Sequence, residues 1–482
     1  MYLTRREFAW AATAAAAAKN ALARPQQLTG AINFSSSDKR LEEGFAWARR
    51  QALAYVFTGG PVGPFYEASL PGRSAFCMRD VSHQATGAHL LGLADWNWNM
   101  LRKFAASISD SRDWCGYWEI DKWDRPAPVD YKNDSDFWFN LPANFDVLAC
   151  CWRQYEWTGN RAYLSDKVLS NFYERTVHDY VRRWDKDGDG IMEGCKAPSH
   201  RGIASYNEEI EQPRTGADLL LLQAAAYLAY DRIRNARRAA IQERYSERFE
   251  ELRDAYQAKW WDPVEHRYYS EQLQDGTYAH RSNQVFPVAG FFPGHTPTEE
   301  QLAQAESETG YNVEPASYLP ERFYQYGRSA TAYRWLLHLI DPQLKRREYP
   351  EVSFAVVGAI ATGLMGVTPH PGVIETVPRL TPQTEWASLE RIPVWNHEIS
   401  VKHEGLNRTT LANHSADPLA WAATFPGKAE RAMVDGKPGR IDHPLEQNQP
   451  RQRLMRRENV AGYSAVFVTV PPRSSRTVEV VV

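Results

Sequence analysis

Apolar residues recur at three- and four-residue spacing through most of the first three quarters of the chain, the period of a helix with one buried face. The pattern predicts helices near 39–57, 80–92, 95–109, 141–158, 162–183, 214–233, 236–260, 282–289, 298–307, 321–340 and 351–365. Several of these eleven segments are consecutive and joined by short loops, and each needs a neighbour on which to bury its apolar face. Helical hairpins stacked in a ring satisfy that need, with a twelfth segment expected near Trp386 to Arg391. After Thr376 the texture changes to alternation and turns, in IPVWNHEISVKHEG, TTLANHS, YSAVFVTVPP and TVEVVV, which predicts short antiparallel strands. The expected fold class is therefore mainly α: a helical ring over 31–376, then a small C-terminal antiparallel β domain over 377–482 with a packing or lid role. Two long connections, 110–140 and 184–213, exceed the usual loop length and are expected to form the binding surface.

At the N-terminus, Arg5 and Arg6 precede an Ala-rich run, Ala9 to Ala18, that is too short to cross a bilayer. This is the pattern of a twin-arginine export signal, with cleavage expected after Ala21-Leu22-Ala23. Residues 1–30 are accordingly set aside as signal and linker, and a periplasmic or secreted location is expected. No later apolar stretch is long enough to span a membrane. The 56 basic residues are matched by 59 acidic ones, a balance that argues against a nucleic-acid partner. Five cysteines without a CxxC pair argue against a zinc site and a disulfide framework.

The stretch RGIASYNEEIEQPRTGADLLLLQAAAY, 201–227, puts Glu208, Glu209 and Glu211 on a non-periodic loop beside Tyr206 and Asn207. In a chain with 17 Trp and 24 Tyr, carboxylates so placed suit acid/base work on sugars. They equally suit a solvated loop whose charges complement a helix N-terminus. The connection after residue 110 is crowded with aromatic and acidic residues, which could stack on pyranose rings and take their hydroxyls. Trp118 and Trp138 stand out there because each lies beside a polar group. Asp185, Asp187 and Asp189 with Gly190 match the first half of a calcium loop, but Lys196 occupies the position that needs a bidentate acid. A Gly/Asp-rich turn is the better account. No cofactor or metal is expected, and calcium only with ligands from elsewhere.

Four windows, FCMRDVSHQATGAHLLGL (76–93), WDKDGDGIMEG (184–194), SYLPERFYQYGRSATAYRWLLHLID (317–341) and REYPEVSFAVVGAIATGLMG (347–366), give the chain a family likeness. It resembles the six-hairpin glycosidases, the superfamily of glucoamylases, trehalases and alpha-L-rhamnosidases, over roughly residues 40 to 390. The resemblance implies an (α/α)6 barrel of six hairpins and an exo-acting, inverting glycoside hydrolase working on oligosaccharides. It also implies a general acid from Glu208 or Glu209, a general base at Glu351, and an Arg79-Asp80 pair that binds hydroxyls or joins in catalysis. His83 and Gln84 are expected behind them, with Tyr206, Asn207, Glu211, Trp118 and Trp138 around the substrate. For Glu351 a first-turn glutamate stabilised by the helix dipole is the plainer account, and for Arg79-Asp80 a buried ion pair. Two other functions remain open: a polysaccharide lyase on the related (α/α) toroid, and a glycan-binding barrel without turnover. The oligomeric state is not legible.

Overall fold

The computed structural model describes residues 32–195, 201–207, 213–238, 244–281, 298–442 and 462–481. The export segment, the helix expected at 282–289, and Glu208, Glu209 and Glu211 lie outside the described residues. Eleven of the described helices carry the architecture: α1 (Lys39–Ala54), α2 (Met78–Leu90), α3 (Ala94–Ala106), α4 (Pro142–Thr158), α5 (Lys167–Arg175), α6 (Ala217–Arg237), α7 (Tyr245–Lys259), α8 (Glu299–Ser307), α9 (Val313–Gln325), α10 (Ser329–Ile340) and α11 (Pro350–Gly358).

Burial sorts them into two layers. In α2, α4, α6, α9 and α11 most side chains are buried all round, as expected of helices packed on several sides. In α1, α3, α7 and α10 only one stripe is buried. The inner helices pack in sequence, α9 on α11, α11 on α2, α2 on α4 and α4 on α6, and the outer ones lie against them, α1 on α11, α3 on α2, α7 on α6 and α10 on α9. Among the described residues this is a two-layered run of five inner helices, part of the ring that the periodicity predicts. Helices α2 and α11 approach closely at Gly87 of α2, where a Cβ would stand 2.1 Å from the Phe354 carbonyl oxygen of α11.

Two predicted helices are each divided. The segment expected at 236–260 breaks after Arg237, where Arg238 takes a left-handed conformation (φ 57°). The segment expected at 321–340 is α9 and α10 joined through Gly327 (φ 74°). Helix α9 begins at Val313, upstream of the prediction, because burial of its apolar face overrides Pro315 and an interior Pro320.

The mainly α class is not confirmed: helix accounts for 42% and strand for 24%, with a large sheet. The strands that matter here are β1 (Asn33–Ser36), β2 (Ala75–Cys77), β3 (Glu119–Asp121), β4 (Thr368–His370), β5 (Val373–Thr376), β6 (Trp386–Val394), β7 (His397–Glu404), β8 (Arg408–Asn413), β9 (Leu419–Pro426), β10 (Arg431–Val434), β11 (Lys437–Gly439), β12 (Tyr463–Val470) and β13 (Ser474–Val481). The expected twelfth helix near Trp386 is strand β6, whose residues alternate in burial over 386–389. A seven-stranded sheet runs β1-β6-β7-β8-β13-β10-β11 and a four-stranded one β4-β5-β9-β12. The β region is not wholly antiparallel, since β5 and β9 pair parallel. It also recruits the N-terminal strand β1, which pairs with β6 from Asn33↔Glu390 to Ser36↔Ala387.

This β region docks at the C-terminal ends of α2 and α4. His89 Nε2 bonds the Pro393 carbonyl at 2.9 Å, the Trp395 amide donates to the Trp157 carbonyl at 2.8 Å, and Trp395 Nε1 donates to the Glu156 carbonyl at 2.7 Å. The candidate residues of α2 and α11 sit at the opposite, N-terminal ends. The region therefore packs against the barrel and does not form the lid allowed for in the sequence.

Candidate active site

The first turns of four inner helices carry acids: Asp80 in α2, Asp218 in α6, Glu314 in α9 and Glu351 in α11. Helix dipoles favour negative charge there, so capping explains one such acid at a time. Contact among three of them around a buried arginine needs a further reason. Pro350 opens α11 at a position where its missing N–H costs nothing, and sets Glu351 on the following residue. On α2, the Met78 amide donates to the Trp118 carbonyl at 3.1 Å, and β2 pairs with β3 from the long 110–140 connection. That connection thus fixes the start of α2 and with it Arg79 and Asp80.

Asp80 and Glu351 are both buried and hydrogen-bonded to each other. Burial, then the charges of Asp80 and Glu314, push the Glu351 carboxyl well above the usual range, with Arg79 opposing. Glu351 consequently holds its proton more tightly than a free carboxyl does. Arg79 stands 3.6 Å from Asp80 Oδ1 and 3.4 Å from Glu314 Oε2, linking α2 to α9. Its guanidinium lies 5.7 Å from the centre of the Tyr206 ring, within cation–π range. Burial opposes the Arg79 charge, but Asp80, Tyr318, Glu351 and Glu314 more than restore it.

The remaining candidates divide into those facing this centre and those bracing it. Tyr206 is buried and its hydroxyl donates to Asp146 Oδ2 at 3.2 Å. Its amide donates to Asp218 Oδ2 at 2.6 Å, while Asn207 is buried with its amide on Ser205 Oγ at 3.0 Å. His83 stacks on Tyr318, centroids 3.5 Å apart, and shares a 2.9 Å hydrogen bond with Ser317 Oγ. Burial, then Arg322, Arg153 and Arg79, hold His83 well below its ordinary range, so the ring is neutral. Gln84 is buried one position on. Trp118 does not form an open stacking wall: it is buried against Phe139 and Tyr206, each 6.3 Å away. Trp138 is half-buried, and its Nε1 donates to Asn140, whose side chain donates in turn to the Ser205 carbonyl. Both tryptophans therefore support the loop that carries Tyr206.

Besides Glu314, two acids escaped the sequence reading. Asp218 accepts from the Tyr206 and Leu219 amides and the Ser205 hydroxyl, a bracing role. Asp146 of α4 faces the barrel interior, and burial pushes it up to about 6 against the pull of Arg153, Tyr206, Arg322 and Arg79. Its neighbours ANF and VLAC are apolar or small, so nothing local marked it.

The turn after the short helix Val181–Trp184 brings Asp185, Asp187, Asp189 and Glu193 within 4.8 Å of one another, the set among the described residues most suited to a cation. The turn reading accounts for much of it. Gly188 and Gly190 have left-handed φ of 79° and 86°, and their amides donate to Asp185. Arg214 pairs with Asp187 and Glu193, supplying positive charge that a metal would otherwise bring.

No family model and no curated protein matches the chain. Solved structures do, at low identity. An alpha-L-rhamnosidase from Dictyoglumus thermophilum is 12% identical with a TM-score of 0.59, over 94% of this chain and 51% of its own. A GH78 family rhamnosidase of Bacillus sp. GL1 is 16% identical with a TM-score of 0.58, over 79% and 41%. A putative kojibiose phosphorylase from human microbiome is 9% identical with a TM-score of 0.55, over 82% and 61%. The chain thus spans about half the length of these neighbours, with which it shares a barrel-plus-sheet fold. Among the described residues no helix is long and apolar enough to cross a membrane.

Proposed function

We propose that the protein is a glycoside hydrolase, exo-acting and inverting, that cleaves oligosaccharides with the Asp80–Glu351 pair as its water-activating base and Glu208 or Glu209 as its acid. The observation that carries this reading is the buried Asp80–Glu351 carboxyl pair held against Arg79 at the N-terminal ends of the inner helices. A close pair of carboxyls can hold one proton in common and take another from an attacking water, as in the aspartic proteases. Asp80 and Glu351 are in hydrogen-bond contact, too close to flank a sugar and a water as an inverting pair about 6.5–9.5 Å apart. The acid must therefore come from another side of the pocket. Asn207 ends a described stretch beside Tyr206, and the chain continues from it directly into Glu208 and Glu209.

The lyase alternative asks Tyr206 to abstract a proton. Burial, then the Asp146 and Tyr318 charges, push that hydroxyl well above its ordinary range, which weighs against the role. We also infer export through the twin-arginine pathway, tested by replacing Arg5 and Arg6 with lysine and assaying the periplasm.

The experiment is a panel of nitrophenyl glycosides and oligosaccharides, with and without phosphate, using wild type, Glu351→Gln, Asp80→Asn, Glu208→Gln and Glu209→Gln. The expected result is phosphate-independent sugar release, inverted at the anomeric carbon by NMR. It should fall about 10²- to 10⁴-fold in Glu351→Gln, Asp80→Asn and one of the other two. Phosphate-dependent release as a sugar phosphate, an unsaturated product absorbing in the ultraviolet, or binding without turnover would each replace the reading.

A further inference from the structure

The roles above leave Asp146 unused. On α4 it begins a line, Asp146, Ala149, Arg153 and Glu156, with the three- and four-residue spacing of a single helix face. Arg153 and Glu156 keep partial exposure while nearly all the rest of the helix is buried. Charges from two other inner helices act on Asp146, Arg79 of α2 and Arg322 of α9, which places its carboxyl toward the barrel axis.

Its two oxygens are treated differently. Oδ2 accepts from the Tyr206 hydroxyl at 3.2 Å, while Oδ1 is fully buried and accepts from nothing. The nearby cations are engaged elsewhere: Arg79 with Asp80 and Glu314, Arg153 with the Ser82 carbonyl at 2.7 Å, and Arg322 with Gln325 at 2.9 Å. A buried acceptor that lacks a donor thus stands beside the Arg79–Tyr206 contact. A buried acceptor left unmade is costly, and a ligand that brings donors relieves it.

We propose that Asp146 is a substrate-binding carboxylate that accepts a hydroxyl of a neutral sugar ring, making the site select uncharged rings over uronates. The proposal rests on the glycoside reading above and adds the substrate class to it. A pyranose hydroxyl donates where Asp146 needs a donor, whereas a uronate brings a further acceptor with its own charge. The groups facing Asp146 are Arg153 and Cys150 on its own helix, Arg79 on α2, Arg322 and Tyr318 on α9 and Tyr206 on the loop before α6. Of these only Asp146, pushed up to about 6, changes charge between pH 5 and 7.5. Affinity for a neutral ring therefore rises with pH across that interval as the acceptor gains its charge.

The test is calorimetric titration of the full protein with glucose, galactose, rhamnose and xylose, and with glucuronate and galacturonate, at pH 5 and 7.5. At least one neutral sugar is expected to bind tenfold or more tighter than either uronate at pH 7.5, and several-fold weaker at pH 5. Asp146→Asn should lose at least tenfold of that affinity and its pH dependence while keeping the wild-type circular dichroism. If Asp146→Asn does not fold, Tyr206→Phe supplies the reading: loss of the Oδ2 donor should shift the midpoint of the binding–pH curve upward. Uronates binding as tightly as neutral sugars, no binding by any neutral sugar, or an unaltered Asp146→Asn would overturn the proposal. Neutral-sugar binding that depends on Asp146, without sugar release on the glycoside panel, would uphold it and sink the hydrolase reading instead.

Discussion

Replacing Gly87 with alanine sets two opposing effects against each other at the crossing that carries the carboxyl dyad. Helix propensity alone favours alanine in the middle of α2 by about 1 kcal/mol. The added Cβ would lie 2.1 Å from the Phe354 carbonyl oxygen and 2.8 Å from its carbon, against the 3.4 Å at which ordinary contact begins. Because the obstacle is backbone, no side-chain rotation relieves it, and α2 and α11 must part by roughly 1 Å. Overpacking of this kind costs about 1–3 kcal/mol, enough to cancel or outweigh the propensity gain. Phe354 lies three residues after Glu351, and Gly87 seven after Asp80, so the separation reaches the dyad. A displacement near 1 Å is expected to lower the rate about 10²-fold. Denaturant midpoints and kcat of Gly87→Ala on a substrate from the glycoside panel test both parts. A variant more stable than wild type with unchanged kcat would show that propensity alone governs the site and refute the packing argument.

Asp218→Ala removes the acceptor of two amides and a hydroxyl that hold Ser205, Tyr206 and the start of α6. It should cost about 2–4 kcal/mol and raise KM, and an unchanged KM in steady-state kinetics would show that the loop does not need it. Asp146 is raised to about 6 from an ordinary value near 4. The folded protein therefore holds a proton that the unfolded chain has lost between those limits, and the contribution of Asp146 to stability falls as pH rises through them. Chemical denaturation at pH 4 and 7 should show a smaller decline for Asp146→Asn than for wild type, and equal declines would contradict the burial argument. His89 and His403 both join barrel to sheet, through the Pro393 and Met365 carbonyls, and both are held near 4 by burial. The unfolded or detached state protonates first, so the stability of this junction should be lost as pH falls from about 6.5 toward 4. Hydrogen exchange at pH 7 and 5 would reveal this as faster exchange confined to the junction strands.

The helical part of the fold was legible because an outer helix must bury one face, and that need writes a 3.6-residue period into α1, α3, α7 and α10. Where the period misled, backbone chemistry was responsible: Pro315 and Pro320 hid the start of α9, and Arg238 broke a continuous-looking pattern without a glycine. Strand β6 begins with an apolar mixture, WASLER, too short to separate alternation from helix, and β1 is a four-residue segment whose partner lies more than 350 residues away. In the site, Arg79, Asp80 and Glu351 carried local signals, a charged pair opening a helix and a glutamate after Tyr-Pro. Asp146 carried none, and neither did the Arg79–Glu314 link, because their surroundings are assembled from helices distant in sequence.

Strand β1 ties the first described residues into a sheet that also contains the last described strand, β13. Phe34 and Ser36 are buried within that pairing, and their partners on β6 are synthesised only after the whole barrel. A ribosome therefore releases a chain whose β1 can meet α1 but lacks its strand partner until the back end emerges, and closing so long a loop is the slow kind of contact to form. Until then β6 presents an unpaired edge, the template on which one unfinished chain adds to another. Shortening the N-terminus past Ser36 makes that exposure permanent, so such truncations are expected to aggregate during expression even with the barrel intact.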